Sequence, residues 1–356
     1  MTELLLGTKK GLFVLEGEPG HGFEITARAF AGEPVDYAMR DRRSGRLLAT
    51  MTSPFYGPKI FHTDDPSGEW QQAEGVALPE GGDQALERIW VMVAGEADGV
   101  VYAGGDPGVL FESSDGGQGW SINEGLWSQP SRPDWQPGGG GLCLHSIAPW
   151  PGDPTRLAVA ISAAGMWLTE DGGRSWRRGN QGLNPRYLPE EALQDESAGR
   201  CVHHVERSPS QPERLFMQFH GGVYRSDDAG QSWVDVGAGL PSDFGFPLMV
   251  DPAEPDSAYV IPLVADMDRV TPEGRVRVYA TRDGGASWAP TGDGLPSQDA
   301  YLTVLRQAFD RVGQGPELEL YFGATSGEVF GSPDGGESWS TVASRLPPVF
   351  SVTASP

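Results

Sequence analysis

The chain has 356 residues, with 49 acidic against 26 basic side chains and a net charge of -23, so it would repel a nucleic-acid backbone or an anionic lipid surface over most of the molecule. Two cysteines, Cys143 and Cys201, build no disulfide framework. Leu4-Leu5-Leu6 is too short for a secretory signal and runs into Lys9-Lys10, and the longest apolar runs are strand-sized, so a cytoplasmic protein with no membrane span is expected.

Met1 to Glu16 carries two strand-like runs, Leu5-Leu6-Gly7-Thr8 and Gly11-Leu12-Phe13-Val14. Six later segments follow one plan: an apolar strand, a small loop, a second strand, and then a short polar box. The apolar strands begin at Leu47, Val101, Leu157, Leu215, Ala258 and Leu318. The box reads Ser113-Ser114-Asp115-Gly116-Gly117-Gln118-Gly119-Trp120, and returns at Thr169 to Trp176, Ser226 to Trp233, Thr281 to Trp288 and Ser332 to Trp339. A weaker copy, Thr63 to Trp70, keeps the hydroxyl, the acid and the indole. Its closing tryptophans recur every 50 to 57 residues, the length of one four-stranded propeller blade.

Each box sits between two β-rich runs and reads as a hairpin turn. Its glycines supply positive φ, its Asp and its Ser or Thr accept turn amides, and its Trp packs beneath the turn. Every role in the motif is structural. The pattern resembles the Asp-box, or bacterial neuraminidase repeat, of sialidases, xyloglucanases, sortilin-type receptors and photosystem II assembly factors. That resemblance spans about residues 60 to 340 and implies a β-propeller with the boxes at the blade periphery, so Asp115 and Asp171 are not expected to be catalytic acids. The nearest text to the Arg-Ile-Pro segment of sialidases is Arg88-Ile89-Trp90, in a different blade and without the proline.

The opening strand pair matches the second and third strands of a blade, and Val349-Phe350-Ser351-Val352 is the one unassigned strand-like run. Pairing the two ends gives an all-β fold: a single seven-bladed β-propeller of four-stranded blades over residues 1 to 356, the ring closed by the N- and C-terminal strands. Length alone would suggest two or three domains, but a fixed period overrides it.

In such a blade the connection entering the innermost strand and the loop after the second strand share one face, where ligands bind. The long segments 71–87, 121–141, 177–199 and 262–275 fall there. Two adjacent blades carry Cys143-Leu144-His145 and Cys201-Val202-His203-His204 in equivalent places, with His220 on the same face. These residues point to a divalent transition metal on His145, His203 and His220, or to acid/base work by His145 and His204. The alternative is small core cysteines and histidines that bond between blades. Asp266 and Asp268 are candidate acid and base for glycoside hydrolysis; Tyr37, Arg88, Asp134, Trp135 and Tyr301 are candidates for holding a carbohydrate or other small polar ligand, with Trp135 as a stacking platform. Three functions are therefore expected: a glycoside hydrolase-like enzyme, a metal-dependent lyase or hydrolase, or a non-catalytic binding or assembly scaffold.

Overall fold

A computed structural model describes residues 1–189, 199–265 and 267–356. Seven four-stranded antiparallel sheets make up the molecule, and the first strands of neighbouring sheets touch one another all the way round a ring. Blade 1 combines both ends of the chain, in the order Val349–Ser355, Thr2–Thr8, Gly11–Glu18 and Gly22–Ala29. Glu3 pairs with Ser355 and Thr8 with Val349, so the expected closure is the observed one. Gly7 is required at this seam: a Cβ there would lie 2.4 Å from Ser351 Oγ and 2.8 Å from the Val35 carbonyl oxygen.

The first strands of blades 2 to 7 are Val35–Arg40, Arg88–Ala94, Leu144–Trp150, Val202–Arg207, Gly245–Val250 and Phe309–Val312. Apolar side chains fill the gaps between adjacent blades, as where Ala158, Met166 and Leu168 of blade 4 meet Val205, Leu215 and Met217 of blade 5. Among the described residues the one α-helix is Glu124–Trp127, capped at its start by the Asn123 side chain.

The boxes join the third strand of a blade to the fourth. Ser113 Oγ donates to Asp115 Oδ1 at 2.8 Å and accepts from the Gly117 amide at 2.9 Å, while Asp115 Oδ1 accepts the Gln118 and Gly119 amides. Gly116 and Gly117 sit at φ 75° and 88°, the left-handed region that a side chain disfavours. The same hydroxyl-to-amide bond returns at Thr169, Ser226, Thr281 and Ser332. Three of the six tryptophans also reach beyond their own turns. Trp176 Nε1 donates to Asn123 Oδ1, Trp233 Nε1 to the Gly179 carbonyl and Trp288 Nε1 to the Val236 carbonyl, each in the preceding blade.

Candidate functional site

Near its start, the first strand of a blade carries one residue more than its partner in six of the seven sheets. The pairing skips Asp36, Trp90, His145, His203 and Phe350 singly, and Phe246 with Pro247. Such a bulge re-aims a side chain that strand alternation would send elsewhere. All of the single residues except His145, together with Phe246, line one cavity of about 770 Å³ at the mouth of the channel. Connections entering the first strands add Gln136 to Gly141, Tyr187, Phe244 and Arg306, and loops after the second strands add Ser162, His220 and Arg269. No box residue takes part.

Among the described residues, Cys201, His203 and His220 are the one group of three or more that could hold a metal, their ligand atoms all within 4.8 Å of one another. His203 Nδ1 donates to the Gly245 carbonyl at 2.6 Å. Burial, reinforced by the Arg306 charge, holds His203 well below the usual histidine range, so the ring is neutral and its Nε2 keeps a lone pair. His203 and His220 meet edge to face at 5.2 Å, and His220 packs on Tyr187 at 4.5 Å. Tyr187 in turn donates to the Gly199 carbonyl and accepts the Cys201 amide, fixing the loop that leads to the thiol.

The sequence-equivalent pair in blade 4 is arranged differently. His145 is fully buried; its Nε2 donates to the Val202 carbonyl at 2.8 Å and its Nδ1 meets Ser146 Oγ at 3.0 Å. Both ring nitrogens are therefore engaged, and Cys201 stands in the cluster where His145 was expected. Cys143 Sγ lies 3.0 Å from the Gly140 carbonyl and 3.4 Å from Asp106 Oδ2, and burial pushes its thiol up. Gln307 Nε2 donates across the ring to the His145 carbonyl at 2.6 Å. Gln307 thereby lines both the mouth and a second chamber, of about 250 Å³, deeper in the channel.

No family model matches the chain, and no curated protein matches it. Solved structures do. A putative 6-phosphogluconolactonase from Bacteroides uniformis superposes with a TM-score of 0.58 at 13% identity, over 99% of each chain. YCF48 from Cyanidioschyzon merolae gives 0.55 at 12%, over 88% of this chain and 87% of that one. An ancestral GH74 enzyme gives 0.58 at 17%; the match takes in 90% of this chain but only 38% of that enzyme's length. These neighbours are β-propellers, as the repeat implies. At such identities the likeness is one of fold.

The remaining sequence candidates scatter. Arg88 is at the mouth, 3.3 Å from Asp36 Oδ1 and stacked on Trp90 at 4.7 Å. Tyr37 and His204 line the deeper chamber with His145, and there His204 Nε2 lies 3.9 Å from Glu206 Oε1. Trp135 is buried against Trp167 at 5.1 Å and under Arg132, so it anchors its loop and presents no stacking face. Asp134, Asp268 and Tyr301 are exposed and outside the cavity wall, and Asp266 falls outside the described residues. Of the four long segments, 71–87 contributes nothing to the wall. Sequence reasoning passed over Trp90, Phe246 and Arg306. The first two sit at bulges inside strand-like runs, and the third lies in a connection without any motif.

Proposed function

We propose that the chain is a ligand-binding propeller whose mouth holds a divalent transition metal on Cys201, His203 and His220, and that the metal activates a small polar ligand, a carbohydrate included, for hydrolysis or elimination. One observation carries the reading: a thiol and two imidazoles converge within 4.8 Å in the wall of a cavity of about 770 Å³. A sulfur and two nitrogens suit zinc and its neighbours, and three protein ligands leave a coordination position for water or substrate, as in catalytic sites. The Gly245 carbonyl supports it further, since a ligating histidine commonly donates its other N–H to a backbone carbonyl.

The glycoside hydrolase-like alternative asks for two carboxyl groups roughly 5 to 9.5 Å apart across the substrate. Among the described residues, Asp36 is the one carboxyl in the cavity wall, and Arg88 and Thr52 already engage it. A scaffold without chemistry is the second reading. It is favoured by Phe55 and Tyr56, 84% and 80% exposed in the loop after the second strand of blade 2.

The test is to strip the full chain with a chelator, dialyse it against Zn²⁺ or Co²⁺, and measure bound metal and thermal stability. One equivalent is expected, with a stabilisation of about 2.7 kcal/mol once free metal reaches a hundredfold excess over Kd. Cobalt should give a thiolate charge-transfer band that Cys201→Ser abolishes, whereas His145→Ala keeps it. Sub-stoichiometric metal, or full loading of both Cys201→Ser and His203→Ala, would sink the metal reading and leave the scaffold.

A further inference from the structure

We infer that the cavity selects a ligand carrying an oxyanion, carboxylate or phosphate, on an apolar body, and that Arg306 is the anchor for that oxyanion. The inference rests on the mouth being the ligand site, but it uses none of the three metal ligands. Nine buried side-chain polar atoms lack a hydrogen-bond partner among the described residues, and four belong to the cavity wall: Trp90 Nε1, Ser162 Oγ, Arg306 Nε and Gln307 Oε1. Folded proteins leave few such atoms, and a ligand is one physical reason for a cluster of them. Three of the four are N–H or O–H donors. A set biased toward donors matches an oxyanion, which only accepts, while Gln307 Oε1 is left for a hydroxyl or amine of the same ligand.

Charge points the same way. The Arg306 guanidinium lies 4.8 Å from the Phe246 ring and 5.6 Å from the Trp90 ring. Among the described residues no carboxylate pairs with it. Arg269, itself 5.6 Å from the Phe246 ring, repels it. Asp36, the carboxylate of the wall, is taken by Arg88 at 3.3 Å and by Thr52 at 2.5 Å. A buried cation with no counter-ion among the described residues is costly to keep unless a ligand supplies the anion. The guanidinium fork suits two oxygens of one carboxylate or phosphate, and Trp90, Phe244, Phe246 and Phe350 provide the apolar surface beside it.

The experiment is calorimetric titration of metal-free full chain with phenylphosphate, benzoate and the neutral benzamide, alongside thermal denaturation without ligand. At least one anion should bind and benzamide should bind at least about tenfold more weakly; whichever anion is tighter names the oxyanion. Arg306→Gln should weaken the anion about tenfold or more, and Arg306→Lys should fall between it and the parent. Without ligand, Arg306→Gln should melt above the parent, because an unpaired charge has gone. Equal binding of benzamide, no anion binding, parent-like anion binding by both Arg306 variants, or a lower melting temperature for Arg306→Gln would each overturn the inference. Because the metal is absent throughout, its failure to bind elsewhere does not decide this result.

Discussion

At the scale of the residue, the acids of the boxes are scaffold, and their ionisation says so. Asp171 accepts from Ser175 Oγ at 2.6 Å, from the Ser175 amide at 2.9 Å and from Thr169 Oγ1 at 2.8 Å. The Ser175 hydroxyl first, then its amide and Thr169, hold the carboxyl down at about 2, and Asp283 is lowered to the same value by Ser287. An aspartate in an unfolded chain titrates near 3.9, so the folded state favours the charged form. That contribution is complete above the unfolded value and is lost as pH falls toward about 2. Asp171→Asn should therefore melt below the parent at pH 7, and the gap should close as the pH is lowered through that window. Melting curves at stepped pH check this, and a gap that stays constant would assign the loss to packing.

At the scale of the element, the box is a joint between blades as well as a turn. Trp233 is 4% exposed, and its Nε1 donates 2.8 Å to the Gly179 carbonyl at the end of blade 4. Trp233→Phe should keep the fold and cost about 1 kcal/mol for the lost hydrogen bond, while Trp233→Ala should cost about 3 to 5 kcal/mol by adding a cavity. Denaturant titration measures both, and equal losses would show that the hydrogen bond, not the volume of the indole, carries the joint. The turn was legible in the sequence because its chemistry is local: hydroxyl, acid and glycines act within five residues of each other. Its reach into the neighbouring blade was not, since Gly179 lies 54 positions away. The same limit divides the site. Cys201 and His203 are legible as a pair two apart at the entry to one strand, but the bulge that skips His203 in blade 5 also skips His145 in blade 4, and nothing in the two segments ranks one histidine above the other. What separates them is Ser146, which engages His145 Nδ1 and has His204 in its place in the other blade. Trp90 and Arg306 come from blade 3 and from the connection into blade 7, and only ring closure brings them within 5.6 Å.

At the scale of the whole molecule, each blade buries one face on each neighbour, so the ring is as strong as its seam. The strand Val349–Ser355 pairs with Thr2–Thr8 and also serves blades 2 and 7: Thr353 Oγ1 donates to the Ala38 carbonyl, and the Ala354 amide donates to Asp310 Oδ2, each at 2.8 Å. Val349, Val352 and Ala354 are buried there. Removing residues 349–356 would strip one edge from Thr2–Thr8 and leave two blades facing a gap. Open edges invite association between chains, so the truncated chain should lose its cooperative melt and aggregate. Loss of sequence alone is separable from loss of closure. A circular permutant that joins the old ends, which pair at Glu3 and Ser355, and opens in the exposed stretch 80–82 keeps every residue and the seam. It should melt within a few degrees of the parent and match the parent in metal binding, because its opening lies away from the cavity wall. If the truncated chain melts as cooperatively as the parent and stays monomeric, the ring does not depend on its closing strand.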